Sequence, residues 1–181
     1  MKISFIRHAQ GVHNLSEENW QIKFPSLTEE GINQCKELKN KITEEYDIIL
    51  VSPVKRTLQT AEEVFNKDKD KFISSELIRE SVINPCDLRE SKEDASKNFP
   101  YVNFDLINDN YDYNKREVPE EVHIRCHLFY DFLLKLKYNK IAVVSHGAFL
   151  REFITLYGEK LGMSIEDKWF KNCELRDGFL N

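Results

Sequence analysis

Three short apolar segments, each followed by residues that favour the start of a helix, constrain the fold most. They are residues 2–6 (KISFI), 46–51 (YDIILV) and 140–144 (KIAVV). Short, nearly continuous apolar strands are typical of sheets covered on both faces, and helices between them favour parallel pairing. The pattern therefore predicts an α/β fold, a three-layer αβα sandwich around a mostly parallel sheet.

Helix signals alternate with these strands. Thr28 is a predicted N-cap, with Leu27 and Ile32 spaced for a hydrophobic staple. Three further helices are predicted after Ser52 with Pro53 at the first position, after Ser145 with an end at Gly158, and over about residues 119–137. The segment 81–117 has weak periodicity and many Asn, Asp and Pro residues, which predicts an irregular insertion with one short helix.

Composition limits the class of protein. The 181 residues fit one domain, and a formal net charge of -5 argues against a nucleic-acid partner. No apolar run approaches the ~20 residues that span a membrane, and the first residues read as a strand rather than a leader. The cytoplasm is therefore the expected location, where the four cysteines are expected to be free, buried thiols.

Charged and polar side chains follow each of the three strands. Arg7, His8 and Asn14 come after the first, Arg56 after the second and His146 after the third. Ligands of α/β sheets bind outside the carboxyl ends of the strands, so these groups are expected to converge. Guanidinium forks, amide donors and helix N-termini are the groups that bind a phosphoryl group.

Four motifs extend this site along the chain. They are Arg-His-Ala with a later Asn (Arg7, His8, Ala9, Asn14), Leu-Thr-x-x-Gly-x-x-Gln (Leu27, Thr28, Gly31, Gln34), Ser-Pro-x-x-Arg-x-x-Gln-Thr-Ala (Ser52 to Ala61) and Ser-His-Gly (Ser145, His146, Gly147). In this order they resemble the histidine phosphatase superfamily, which contains cofactor-dependent phosphoglycerate mutases and related phosphatases. The resemblance implies one phosphoglycerate mutase-like domain over residues 1–181, with the insertion at about 81–117 forming part of the substrate pocket.

The resemblance also implies roles for single residues. His8 would be the nucleophile that becomes phosphorylated, and Glu80 the general acid and base, with Glu76 and Asp87 as competitors. The phosphoryl oxygens would be held by Arg7, Asn14, Arg56, His146 and Gly147, with Gln10, His13 and Arg89 as further candidates for substrate contact. If His146 is protonated there, it stabilises charge rather than acting as a base. No metal or other cofactor is required by this chemistry.

Several residues keep alternative interpretations. His13 fits either the pocket or a solvent-facing loop, whereas Arg125 favours a structural ion pair. His123 and His127 are spaced i, i+4 but lack an evident third ligand, which favours structural roles. The aromatic residues of the insertion fit either a lid or a small satellite core, namely Tyr101, Phe104, Tyr111 and Tyr113.

The predicted function is hydrolysis of a small phosphomonoester, with phosphate, or sulfate as its mimic, in the pocket. A cofactor-dependent phosphoglycerate mutase is the first alternative. The short chain, and Gln10 in place of the Glu that is usual in the mutases, favour the phosphatase. The second alternative is a catalytically idle phosphate-binding or scaffold module. The oligomeric state stays open.

Overall fold

The computed structural model of the protein describes residues 1–109 and 115–180. Strands and helices alternate over most of this length, as the apolar segments predict. The elements are β1 (Lys2–Arg7), α1 (Glu29–Lys41), β2 (Ile48–Val51), α2 (Lys55–Val64), β3 (Phe72–Ser75), α3 (Lys92–Asn98), β4 (Asn103–Leu106), α4 (Pro119–Lys135), β5 (Lys140–Ser145), α5 (Gly147–Tyr157) and β6 (Leu175–Phe179).

The strands form one sheet in the order β4-β3-β2-β5-β1-β6. All neighbouring strands are parallel except β6, which pairs antiparallel with β1 at the edge. In the centre, Arg7 of β1 lies opposite Ser145 of β5, and Val51 of β2 lies opposite Val144. The carboxyl ends of three central strands are therefore adjacent, which brings the segments that follow them to one edge of the sheet.

Helices cover both faces of the sheet, which confirms the predicted three-layer α/β fold. On one face, Phe5 and Leu50 pack with Phe129 of α4 and Phe153 of α5. The opposite face buries residues of α1, α2 and α3 against the alternate strand positions, including Cys35, Leu58, Ala95, Ile49 and Val144. All four cysteines are buried and free, as predicted. In the described part of the chain, no helix is both long and apolar enough to cross a membrane.

Helix boundaries differ from the prediction at two places. Thr28 caps α1 as predicted, accepting a hydrogen bond from the backbone N–H of Gly31. The prediction that Ser52 caps α2 with Pro53 at its first position is wrong, because the helix begins at Lys55 after Val54. Gly158 ends α5 as predicted but in a right-handed conformation, and the chain continues into a short 3₁₀ turn, Glu159–Leu161.

The described parts of the insertion, residues 81–109 and 115–117, are more ordered than predicted. They contain the expected short helix, α3, but also the edge strand β4 and a 3₁₀ turn, Pro85–Asp87. Phe104 of β4 is buried in the core beside α3, and Tyr101 packs partly buried against the same cluster. These two residues therefore belong to the packed core rather than to a lid, whereas Tyr111 and Tyr113 lie outside the described residues.

Candidate active site

A cavity of about 180 Å³ lies at the carboxyl edge of the central strands. Its floor is formed by the segments that follow β1 and β5, and its far wall by the insertion. Thirteen residues line it: Arg7, His8, His13, Asn14, Trp20, Arg56, Glu80, Asn84, Cys86, Asp87, Gly147, Ala148 and Trp169. The structure thus brings together seven of the residues that the sequence placed in the site. His146 is completely buried beside this group, with its ring centroid 5.2 Å from that of His8.

Hydrogen bonds define the tautomer of His8. The backbone N–H of His8 donates to the carbonyl of Ser145 at 2.9 Å, which ties the end of β1 to the end of β5. The ring atom Nδ1 lies 2.7 Å from the carbonyl oxygen of Ala9, so Nδ1 carries the proton. On the other side of the ring, Nε of Arg56 donates to Nε2 of His8 at 3.2 Å. This network assigns a neutral imidazole with its lone pair at Nε2.

Electrostatics favour the same neutral form of His8. Burial is the main cause that lowers its pKa well below 6.5, and the positive charges of Arg56 and Arg7 lower it further. A neutral imidazole is the nucleophilic form of histidine. At neutral pH, His8 therefore has the protonation state of a nucleophile, with its lone pair accepting the N–H of Arg56.

The two arginines approach the cavity from different elements. Arg7 ends β1, and its Nη1 donates to the carbonyl of Phe170 at 2.8 Å. Its Nε is buried and has no hydrogen-bond partner among residues 1–109 and 115–180. Arg56, in the first turn of α2, is 1% exposed and donates from Nη1 to the carbonyl of Cys86 at 2.6 Å. One partly buried and one buried guanidinium group facing one cavity form a site suited to an anion.

Ser52 orients His146 instead of capping a helix. The Nε2 atom of His146 lies 2.7 Å from Oγ of Ser52, while Nδ1 is buried without a partner in the described part of the chain. Burial, followed by the charge of Arg56, lowers the pKa of His146 well below 6.5. In the protein alone, His146 is therefore neutral at pH 7, so a protonated His146 requires the negative charge of a phosphoryl group beside it.

Among the candidate acids, Glu80 and Asp87 line the cavity and Glu76 does not. The carboxyl oxygens of Glu80 accept hydrogen bonds from the backbone N–H groups of Ser81 at 2.9 Å, Ala148 at 3.3 Å and Phe149 at 3.1 Å. Burial, and secondly the charge of Asp87, raise the pKa of Glu80 above 4.5. A raised pKa favours the protonated form that a general acid needs.

The two competitors have other partners. Glu76 pairs with Arg89 at 2.5 Å and with Arg79 at 3.5 Å, outside the cavity. One carboxyl oxygen of Asp87 accepts the backbone N–H groups of Ile83 and Asn84, and the other lies 3.7 Å from Nη2 of Arg56. The geometry therefore favours Glu80, and Asp87 stays a competitor within reach of the same cavity.

Asn14 and His13 complete the wall next to His8. The side-chain oxygen of Asn14 accepts a hydrogen bond from the backbone N–H of Gly11 at 3.0 Å, so the side-chain NH₂ group of Asn14 is not used in this bond. His13 is 7% exposed and lines the cavity, which decides between its two interpretations in favour of the pocket. Burial, with the charges of Arg56 and Arg7, lowers the pKa of His13 to about 3.

Two further candidates for substrate contact lie away from the cavity. The side chain of Gln10 accepts a hydrogen bond from Oγ1 of Thr28 at 2.8 Å. Arg89 is 1% exposed and pairs with Glu76 at 2.5 Å and with Asp109 at 2.9 Å. Both side chains therefore serve local structure at these positions.

Sequence reasoning missed several residues of the cavity wall. Trp20 and Trp169 stand at the rim with 38% and 54% of their surface exposed. Asn172 donates to the carbonyl of His8 at 3.1 Å and lies 3.4 Å from the side-chain oxygen of Asn14. These residues come from loops with no motif, and they meet the site only through contacts that are distant along the chain.

Three side chains with predicted structural roles have structural partners. Arg125 pairs with the buried carboxylate of Glu117 at 2.9 Å, as predicted. His123 lies 3.3 Å from Glu152, and His127 is hydrogen-bonded to the hydroxyl group of Tyr157. Within the described residues, no three His, Cys, Asp or Glu side chains lie close enough together to hold a metal ion.

Comparison with known families identifies the superfamily. The model of the histidine phosphatase superfamily (branch 1) matches residues 3–175. A phosphoglycerate mutase-like protein from Arabidopsis thaliana is 29% identical over an alignment of 225 residues. The alignment covers 96% of this chain and 82% of the relative. The resemblance inferred from the four motifs is therefore confirmed.

Solved structures agree in fold. An alpha-ribazole phosphatase from Shigella flexneri has a TM-score of 0.68 and 18% identity, with 98% of this chain and 89% of that chain covered. A mutant phosphoserine phosphatase from Entamoeba histolytica, in complex with phosphoserine, has a TM-score of 0.64 and 20% identity, with 97% and 89% covered. These similarities confirm the predicted phosphoglycerate mutase-like architecture.

Proposed function

The chain belongs to branch 1 of the histidine phosphatase superfamily, and we propose that it hydrolyses small phosphomonoesters through a phosphohistidine at His8. The observation that carries the proposal is the state of His8. Its Nδ1 proton is held by the carbonyl of Ala9, and the lone pair at Nε2 lies beside Arg56 in a cavity lined by a second arginine, Arg7. The similarity to a phosphoserine phosphatase in complex with phosphoserine supports a small phosphorylated substrate.

The first step transfers the phosphoryl group to the enzyme. The lone pair of His8 Nε2 forms a bond to phosphorus while the bond from phosphorus to the alcohol oxygen breaks. The departing oxygen takes the proton of the Glu80 carboxyl group, so the alcohol leaves neutral and Glu80 is left ionised. The Nδ1 proton of His8 stays on its hydrogen bond to Ala9.

The second step returns the enzyme to its starting state. A water molecule attacks phosphorus, ionised Glu80 takes one of its protons, and the bond from Nε2 to phosphorus breaks. Inorganic phosphate leaves, His8 regains its lone pair and Glu80 is protonated again. One water is consumed for each ester.

Charge stabilisation comes from the groups around the phosphoryl oxygens. Arg7 and Arg56 supply two fixed positive charges, and Asn14 and His146 supply further donors. Such preorganised donors account for most of the catalysis in phosphoryl transfer. We therefore propose that the reaction requires no metal ion or other cofactor.

Phosphohistidine trapping tests the mechanism. Incubation with a labelled phosphomonoester should give acid-labile, base-stable label on the protein together with release of inorganic phosphate. His8→Ala should abolish both, whereas Leu128→Ala, at an exposed residue of α4 that does not line the cavity, should preserve both. Isomerisation of 3-phosphoglycerate that exceeds phosphate release would identify a mutase instead. Phosphate binding without phosphorylation of the protein would identify an idle module.

A further inference from the structure

A second cavity, of about 280 Å³, adjoins the phosphate cavity. Part of its wall is apolar and comes from three segments: Ile83 of the insertion, Val122 of α4 and Ala148 of α5. Ile83 is 53% exposed and lines this cavity, so its apolar side chain is available to a bound ligand. The proposed hydrolysis at His8 uses neither Ile83 nor Val122.

The position of Glu80 connects the two cavities. Ala148 lines both, and its backbone N–H donates to the Glu80 carboxyl group. Ser81, the next residue along the chain, lines the second cavity. Trp169 of the first cavity stacks on Arg151 of the second, with the guanidinium carbon 4.8 Å from the ring centroid. The leaving oxygen must face the acid, and the second cavity begins at residues next to this acid, Ser81 and Ala148.

The acidic groups in this wall are already neutralised within the protein. Glu117 accepts hydrogen bonds from Arg79 and Arg125 at 2.8 and 2.9 Å. Glu152 is paired with Arg151 at 2.5 Å and lies 3.3 Å from His123. These paired carboxylates do not call for a cationic ligand. Arg116 adds a further charged side chain to the wall, so the apolar surface available to a ligand is that of Ile83, Val122 and Ala148.

We propose that the second cavity is the leaving-group subsite, and that the substrate is the phosphomonoester of an alcohol with a bulky apolar body. This inference rests on the proposed hydrolase function and names its substrate class. A small polar alcohol would leave the side chain of Ile83 in water, whereas an apolar one would cover it. Burial of that apolar surface stabilises the transition state as much as the bound ester and raises kcat/KM.

Two esters with leaving alcohols of similar acidity test the subsite. The kcat/KM for 2-phenylethyl phosphate should exceed that for ethyl phosphate by about tenfold or more, the range in which apolar pockets discriminate. Ile83→Ser, which removes apolar surface, and Ile83→Trp, which fills the cavity, should both lower this ratio toward one. The matched control is Ile124→Ser, at a residue of α4 that is 57% exposed and does not line the cavity.

The outcomes separate the two proposals. If p-nitrophenyl phosphate and both alkyl esters release no phosphate, the hydrolase function fails. Equal kcat/KM for the two alkyl esters, or hydrolysis of the aryl ester alone, overturns the subsite and leaves the hydrolase standing. A preference that both folded Ile83 variants retain also overturns it, and thermal unfolding of each variant verifies that it is folded.

Discussion

At the scale of single residues, Glu80 is subject to opposing influences. Burial and the nearby Asp87 raise its pKa, while Arg56 and the backbone N–H groups of Ser81 and Ala148 act in the lowering direction. The net effect is a raised pKa, so more of the acid form is present at a given pH than for an exposed glutamate. The same hydrogen bonds fix the direction of the carboxyl group, which a proton donor requires.

The role of Glu80 as acid predicts a dependence on the leaving group. Glu80→Gln cannot protonate the departing oxygen, so the rate should fall by about 10²- to 10⁴-fold with alkyl phosphates. With p-nitrophenyl phosphate, whose leaving group needs no proton, the loss should be much smaller. The check is kcat for both substrates in Glu80→Gln, Asp87→Asn and Glu76→Gln. A selective loss in Asp87→Asn instead would reassign the acid.

Replacement of Gly147 by alanine should lower activity without lowering stability. A Cβ atom at this position would lie 3.2 Å from Nε of Arg7, tighter than most contacts, so Gly147→Ala should displace the guanidinium group. Loss of a hydrogen bond to a charged group should lower kcat/KM by about 10- to 100-fold. Because Gly147 is the first residue of α5, alanine should not lower the melting temperature.

Steady-state kinetics and thermal unfolding of Gly147→Ala check both parts. Thr155→Ala, on the exposed side of α5, is the control and should change neither quantity. Unaltered kcat/KM in folded Gly147→Ala would mean that Arg7 tolerates the added methyl group.

At the scale of elements, the strands that the sequence reveals are the central ones. β1, β2 and β5 are covered on both faces and therefore read as apolar runs. β3 ends in two serines (FISS), and β4 (NFDL) and β6 (LRDGF) lie at the edges of the sheet with polar, partly exposed residues. Their strand character comes from pairing with a neighbour, which local composition does not record.

The site residues also divide into those that the sequence could predict and those that it could not. Arg7, His8, Arg56 and His146 follow central strands, so sequence reasoning could place them together. Ser-Pro is a typical helix start and predicts a cap at Ser52, but the hydroxyl group of Ser52 is hydrogen-bonded to His146 instead. Trp20 and Trp169 line the cavity, and Asn172 contacts the backbone of His8, from segments with no periodicity, so no local signal could reveal them.

The segment that carries Glu80 is held by buried charges. Glu117, 2% exposed, pairs with Arg79 and Arg125 at 2.8 and 2.9 Å. Arg125 also donates to the carbonyls of Leu77 and Arg79 at 3.0 and 2.9 Å. The network thus fixes the backbone immediately before Glu80 against α4.

Removal of the Glu117 carboxylate, which lies at the centre of this network, should cause a large loss of stability. Glu117→Ala leaves two buried guanidinium groups without this partner, which should lower the free energy of unfolding by about 3–5 kcal/mol. Glu93→Ala is the control, because its ion pair with Lys97 is exposed to solvent and should contribute little to stability. Urea unfolding of both variants provides the comparison. Similar losses in the two would contradict a structural role for the network.

At the scale of the whole molecule, the site makes folding depend on pH. His8, His13 and His146 are all buried, and each has a pKa below 6.5 in the folded protein. The unfolded chain titrates these groups near 6.5 and so binds more protons as the pH falls, which favours unfolding. Glu80 acts in the opposite direction, because its raised pKa lets the folded state take up a proton above pH 4.5.

The three histidines favour proton uptake by the unfolded state more than the one glutamate favours uptake by the folded state. The free energy of unfolding should therefore fall as the pH drops from 6.5 to 5. In this window each histidine that stays neutral in the folded protein contributes a slope that rises from about 0.7 kcal/mol per pH unit at pH 6.5 to nearly 1.4 at pH 5. His13→Gln should remove about one such contribution, whereas Gln10→Ala, which changes no titrating group, should shift the curve without altering its slope. Urea unfolding at several pH values measures both slopes. An unchanged slope in His13→Gln would show that His13 titrates alike in the folded and unfolded states, and that the cavity is open enough to water to let it do so.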